Sequence, residues 1–140
     1  MNSQKQVLAI ETKAKLSALW IVFLLNIVFR DIHELIEPGF IEEVMTGTVN
    51  GNPIQEHILL LGGIMIEIPI AMIFLSRLLP YRSNRCANII IAALYILPIS
   101  FYGATDLDDT FHLFAEIAAL SLICWSAWRW PVVGKVSASK

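Results

Sequence analysis

The sequence carries too little charge for an ordinary soluble domain. Charged residues make up 16% of its 140 residues, whereas typical soluble domains contain about 25%. The mean hydropathy is +0.66. The shortage is concentrated in four long apolar runs, which predicts a membrane protein. The length suits a single membrane domain, residues 1–140.

Several familiar signatures are also missing. No basic tract points to a nucleic-acid partner, and the formal net charge is only −2. Nothing resembles a nucleophile elbow, a phosphate-binding loop or a zinc-protease helix. The two cysteines, Cys86 and Cys124, have no metal-ligand spacing. These absences leave open whether the protein is an enzyme.

A spanning helix needs about 20 residues, and the four apolar runs qualify, although the third is short unless Cys86 and Gly103 extend it. They cover residues 16–36, 57–79, 87–102 and 110–130. An outer loop, 37–56, is compatible with a short surface helix, and a mobile tail, 131–140, ends the chain. The predicted fold is therefore all-α, an integral membrane four-helix bundle.

The basic residues lie on one side of these segments. Nine of the ten lysines and arginines precede the first segment, separate the second from the third, or follow the fourth, and Arg30 is the exception. Because cytoplasmic loops carry an excess of Lys and Arg, both termini are predicted to be cytoplasmic in a multi-pass protein of the cell (plasma) membrane. The two cysteines then lie at cytoplasmic helix ends, where free thiols are expected.

Polar residues fall on single faces when each segment is projected at 100° per residue. They are Arg30, His33 and Glu34 in the first segment, Glu67 in the second, Tyr95 and Tyr102 in the third, and Asp109, His112 and Glu116 in the fourth. A charged side chain costs about 2.5–3.5 kcal/mol at the centre of a membrane helix, so these groups are expected to face one another or a ligand. Four such faces predict a polar interior that opens to the outside.

The leading hypothesis is a polar intramembrane cavity that binds a small molecule or an ion, for binding or transport. Its ligand-binding residues would be Arg30, Glu67, Tyr95 and Glu116, and its rim would consist of Asp31, His33, Asp109 and His112. This hypothesis needs no cofactor. Transport by so short a chain would require a homo-oligomer, such as a dimer, within the lipid bilayer.

Two alternatives stay open. The first is a membrane metalloenzyme or redox protein, because carboxylates and histidines on four helices build di-metal sites in bundles. One or two transition-metal ions would bind His33, Glu34, Asp109, His112 and Glu116, while a haem between the two histidines is less favoured. The second is an accessory subunit in which a structural polar core only specifies helix packing.

Three runs resemble an uncharacterised prokaryotic family of small four-helix integral membrane proteins, over roughly residues 15–130. They read "DIHELIEPGF", "GIMIEIPIAMIFLSRLLPYRSNRCANII" and "WSAWRW". The resemblance implies the fold but no activity, and it implies acids at Asp31, Glu67 and Glu116 but not the histidines. The layout is also distantly similar to DoxX-like proteins and to the sigma-2 receptor and sterol isomerase group. In that group, cavity carboxylates hold a cationic amine or stabilise a carbocation.

Overall fold

The computed structural model describes residues 2–49, 51–101 and 107–130. The described chain is helical apart from one two-stranded hairpin, which confirms the all-α prediction. Its elements are α1 (Asn2–Ile36), α2 (Phe40–Met45), β1 (Thr48–Val49), β2 (Asn52–Pro53), α3 (Glu56–Leu78), α4 (Tyr81–Phe101) and α5 (Leu107–Trp128). The predictions for Tyr102 and for the tail, 131–140, lie outside the described residues.

Three helices in the described parts of the chain are long and apolar enough to cross a membrane. They are Gln6–Ile36 of α1, α3 and α5, as expected of a membrane protein. α4 corresponds to the predicted segment 87–102 but is not among the three. α1 begins well before residue 16, because residues 2–15 are mostly good helix formers. Helix propensity and hydropathy therefore place the start of this element differently.

The long helices pack in a row. α1 lies between α3 and α5, and α5 lies between α1 and α4, whereas α3 and α4 contact each other far less extensively. The apolar core includes Leu16, Trp20 and Phe23 of α1, together with Met72 of α3. The buried residues of α5 recur every three or four positions, as expected of a helix that packs along one stripe. The row therefore closes incompletely between α3 and α4.

A buried polar network joins α1, α3 and α4 near the basic end of the molecule. Asn88 Oδ1 accepts hydrogen bonds from Trp20 Nε1 (2.7 Å) and Ser76 Oγ (3.2 Å). Asn88 Nδ2 donates to Asn84 Oδ1 (2.7 Å), and Asn84 Nδ2 donates to the Ser76 carbonyl (2.7 Å). All four residues are 0% exposed. Because these buried polar groups form hydrogen bonds with one another, the network holds the three helices in one register.

Pro69 interrupts the hydrogen-bond ladder of α3. Proline has no N–H group, so the carbonyl of Met65, four residues earlier, loses its helical partner. Tyr95 of α4 donates its hydroxyl to that carbonyl. The helix then continues to Leu78. A neighbouring helix thus compensates for the proline, as membrane helices require.

The outer loop contains α2 and the β1–β2 hairpin, so the expected short helix is present. Gly39 precedes α2 with φ 91°, a conformation that favours glycine. Val49 pairs with Asn52 in the hairpin. Glu43 of α2 accepts a hydrogen bond from the Gly51 backbone N–H at 2.6 Å. This bond attaches the hairpin to α2.

Candidate functional site

Polar residues of α1 and α5 converge near the ends of these helices that adjoin the outer loop. Three pairs link the two helices: Asn26 Oδ1 with His112 Nδ1 at 3.2 Å, an Arg30 guanidinium nitrogen with Glu116 Oε2 at 3.4 Å, and His33 Nδ1 with Asp108 Oδ2 at 2.7 Å. The helices run in opposite directions, so two of the pairs cross. Asn26 comes four residues before Arg30 on α1, and its partner His112 also comes four residues before Glu116 on α5. We call these six residues the outer polar cluster.

Three members of the outer polar cluster form a compact set: His33, Asp108 and His112. One ligand atom from each lies within 4.8 Å of the other two. His112 Nε2 is 3.8 Å from Asp108 Oδ1, and the two imidazole rings meet edge to face with centroids 5.4 Å apart. The His112 side chain is 9% exposed, whereas those of His33 and Asp108 are 47% and 43% exposed. The set is therefore anchored in the protein and open on one side.

A surface groove of about 340 Å³ leads to this set. Its lining residues are His33, Ile36, Glu37, Pro38 and Asp108. Ligand pockets usually measure about 300–1,000 Å³, so the groove is at the small end of that range. It is large enough for an ion with several water ligands.

An ion pair lies one helical turn deeper. Glu116 is four residues beyond His112 on α5 and is 0% exposed, while the Arg30 side chain is 28% exposed. A buried carboxylate needs a charge partner, and Arg30 supplies it. Only one Glu116 oxygen is used, because Oε1 has no hydrogen-bond partner among the described residues. A buried acceptor is thus available directly below the histidines.

The structure places Glu67 elsewhere than predicted. Its side chain is exposed and lines a groove formed by α3 alone, together with the exposed His57. α3 instead buries Pro69, Met72 and Ser76. At 100° per residue, these positions lie about 140–200° around the helix from Glu67. The periodicity identifies a polar face on α3 but does not determine which face packs against α1.

Several other residues predicted for the site lie outside the outer polar cluster. Tyr95 is 7% exposed in the core, and its hydroxyl is bonded to the Met65 carbonyl rather than turned towards the cluster. Asp31 is exposed, while Glu34 and Asp109 are half-buried and outside the set of three.

Asp108 takes the place beside the histidines that the metal hypothesis gave to Asp109. The sequence offered both acids, since Asp108 and Asp109 precede His112 by four and three residues and side chains at either spacing share a helix face.

These observations define the class of protein, which is a helical membrane protein with a polar cluster between two of its helices. Residues 7–134 match the model of a family of unknown function (DUF6326). The chain belongs to that family, which confirms its resemblance to a family without known activity. Neither a curated protein nor a solved structure matches the chain. Nothing supports the similarity in layout to the DoxX-like or sigma-2 receptor groups.

Proposed function

We propose that this protein is a four-helix integral membrane protein that binds a divalent transition-metal ion through His33, Asp108 and His112. The observation that carries the proposal is the convergence of one ligand atom from each of these residues within 4.8 Å. The proposal takes up the metal-site alternative rather than the leading cavity hypothesis. It keeps His33 and His112 and takes its carboxylate from Asp108. Transport, sensing and catalysis are all compatible with such a site.

The chemistry of the set suits a transition metal. Two imidazoles and one carboxylate are common ligands of zinc, and similar sets bind iron(II). Ligand atoms about 2.1 Å from a tetrahedral ion lie about 3.4 Å apart. The distance from His33 Nδ1 to Asp108 Oδ2 is 2.7 Å, and the distance from His112 Nε2 to Asp108 Oδ1 is 3.8 Å, so the two values bracket this separation. Three protein ligands would leave coordination positions open towards the groove.

The hydrogen bond between His112 and Asn26 favours a ligand role for His112. When His112 Nδ1–H donates to Asn26 Oδ1 (3.2 Å), Nε2 keeps its lone pair. That lone pair then lies 3.8 Å from Asp108 Oδ1, which is also an acceptor. A metal ion between the two acceptors would remove their repulsion, as would a proton on Nε2. Metal-binding histidines are commonly oriented by such a bond from their second nitrogen.

Larger ligands have less support. Tyr95 is already bonded to a backbone carbonyl, and Glu67 lies on another face, so two of the four predicted ligand-binding residues are outside the outer polar cluster. The two histidine rings contact each other edge to face. Axial haem ligands instead occupy opposite faces of the macrocycle. An ion bound between His33, Asp108 and His112 fits this arrangement better.

We also propose that α4 is the fourth span and that both termini are cytoplasmic in the cell membrane. Lys13 Nζ donates to the Arg77 carbonyl at 3.2 Å, so the basic ends of α1 and α3 lie together. Arg82 and Arg85 at the start of α4 and Arg129 after α5 are at that same end. The positive-inside rule then assigns this end to the cytoplasm.

The test is metal binding by the purified protein in detergent. After chelation, Zn²⁺ is titrated by calorimetry, and the bound metal is counted by elemental analysis. One ion per chain is expected, together with a higher melting temperature in excess Zn²⁺. His33→Ala, His112→Ala and Asp108→Asn should each weaken Zn²⁺ binding by more than about 100-fold. Removing a group that only orients a ligand costs about 10–100-fold, and removing a ligand should cost more.

Matched controls separate this site from general effects. His57→Ala removes the third histidine, and Asp109→Asn changes the neighbouring acid, so both should bind Zn²⁺ normally. If Zn²⁺ does not bind the wild type, and His33→Ala or Asp108→Asn only lowers its stability, the cluster is a structural link between α1 and α5. That outcome would support the accessory-subunit alternative.

A further inference from the structure

A second groove lies at the opposite end of the molecule and takes no part in the proposed metal site. It is about 490 Å³ in volume and lies between the start of α4 and the end of α5. Its lining residues are Tyr81, Arg82, Arg85, Cys86, Ile89 and Trp128. Tyr81 and Trp130 join the two helices here, since the Tyr81 hydroxyl donates to the Trp130 carbonyl at 3.0 Å. The groove is thus part of a packed helix–helix boundary.

Two arginines give the groove its charge. Arg82 and Arg85 are three residues apart and therefore share one side of α4. In the described parts of the chain, neither arginine has a carboxylate within 4.0 Å. The Arg85 guanidinium lies 5.5 Å from the centre of the Trp128 ring, a cation–π contact that orients it. The positive charge of the groove is not balanced within the described chain.

The groove is also amphipathic along its length. Ile89 follows Arg82 by seven residues, which corresponds to about 10 Å along the helix axis. α4 continues in that direction towards its apolar residues, whereas Arg82 lies near its first residue. Trp128 lies beside Arg85 at the end of α5 and is 67% exposed. Tryptophan is enriched at the membrane–water interface. A ligand of this groove therefore has an anionic end at the surface and an apolar part in the bilayer.

We propose that this groove binds an anionic phospholipid, with its phosphate on Arg82 and Arg85 and its acyl chain against Ile89 and Trp128. Basic pockets between membrane helices on the cytoplasmic side are suited to such headgroups. The proposal rests on the membrane placement of the helices and is independent of metal binding. The depth of Ile89 distinguishes a lipid from a free phosphate ion, which would use the arginines alone.

Cys86 provides a local readout, because its thiol is exposed in the groove. The full chain carrying Cys124→Ser is placed in phosphatidylcholine nanodiscs with increasing fractions of phosphatidylglycerol, and the rate of Cys86 alkylation is measured. Phosphatidylglycerol should slow alkylation. In Arg82→Gln/Arg85→Gln, half-protection should need about 30-fold more phosphatidylglycerol, since each surface cation contributes about fivefold to anionic lipid binding. Arg77→Gln/Arg129→Gln removes the same charge outside the groove. It should raise the phosphatidylglycerol needed for half-protection less than threefold.

Each result decides the proposal. An equal shift in the control pair would mean diffuse attraction to the membrane surface, and protection by inorganic phosphate in pure phosphatidylcholine would mean a simple anion site. Either result would overturn the proposal, as would unchanged alkylation at every lipid composition. Native mass spectrometry of the wild type gives a second measurement that does not depend on folding of the variants. One phosphatidylglycerol per chain should remain bound under conditions that remove phosphatidylcholine.

Discussion

At the scale of single residues, Tyr95 shows how a polar side chain in a membrane helix can serve the backbone rather than a ligand. Its hydroxyl completes the hydrogen bonding of the Met65 carbonyl, which Pro69 leaves without a helical partner. Tyr95 also packs edge to face against Trp20 and Phe23 in the core. The helical projection predicts that Tyr95 is buried, but it does not predict which group accepts the hydrogen bond from its hydroxyl.

Tyr95→Phe is expected to destabilise the protein by about 1–3 kcal/mol, because it leaves a carbonyl unsatisfied away from water. The measurement is unfolding in mixed detergent micelles. Zn²⁺ binding should be unchanged, since Tyr95 lies outside the outer polar cluster. Pro69→Ala restores the missing N–H, so the double variant Pro69→Ala/Tyr95→Phe should lose less stability than the two single effects combined. Strict additivity would show that the hydroxyl and the proline are not linked.

Part of the candidate site could be predicted residue by residue. The helical projection identifies the faces that contain Arg30, His33, His112 and Glu116, because the 3.6-residue period follows from backbone geometry alone. It does not choose between Asp108 and Asp109, since both lie within one turn of His112. That choice depends on the rotation of α5 against α1, which many side-chain contacts determine together.

At the scale of elements, α3 is the helix on which the sequence-based prediction and the structure differ most. Glu67 lies eleven residues after Glu56 in a helix of 23 residues, so it is at mid-helix, and its side chain is exposed. Within the described residues it has no ion pair. α3 has apolar residues on every side, and an 18-residue stretch of it has a mean hydropathy of 2.5. Hydrophobicity therefore gives no preferred face, and packing of Ser76 with the buried asparagines sets the rotation.

Glu67→Leu is expected to stabilise the protein by about 1–3 kcal/mol in a bilayer, because it removes a carboxylate from a lipid-facing position. The free energy of unfolding in lipid nanodiscs is the quantity to measure. Glu56→Leu is the control, since Glu56 is the first residue of α3 and should change stability little. If Glu67→Leu destabilises the protein, Glu67 has a polar partner outside this chain. A second copy, as in the predicted homo-oligomer, would be the first candidate to examine.

Three of the four long elements, α1, α3 and α5, could be predicted because runs of about 20 apolar residues have few alternatives to a membrane helix. Their order in space could not. The contacts of α1 with α3 and α5 depend on side-chain shape and on the Ser17–Ile73 and Arg30–Glu116 pairs, which join residues distant in sequence. The length of α1 was also underestimated, because hydropathy does not detect a polar helical extension.

At the scale of the whole molecule, the distribution of charge is the main asymmetry. The proposed metal site and the outer loop lie at one end, and the arginine groove lies at the other. If the positive-inside rule holds, the histidines face the exterior and the arginine groove faces the cytoplasmic leaflet. The two proposed sites would then bind ligands from different compartments.

Accessibility to a membrane-impermeant maleimide tests this orientation. In a Cys86→Ser/Cys124→Ser background, Glu42→Cys places a thiol on the exposed surface of α2, and Ser83→Cys places one at the start of α4. Intact cells should label the first variant and not the second, and lysed cells should label both. The reverse pattern would invert the proposed orientation. Equal labelling in intact cells would mean that α3, which separates the two positions, does not span.

The outer half of α3 has one further consequence. No residue from Glu56 to Ile68 is buried, a length of about 20 Å, and a side chain added at Gly62 or Gly63 would meet nothing within 4 Å. If α3 spans a bilayer with no partner chain on this side, acyl chains complete the wall that the chain does not build there, and the lipid acts as a structural component as well as a solvent. The conformational stability of this half of the molecule is therefore a joint property of protein and bilayer, and it changes with the length and fluidity of the surrounding chains.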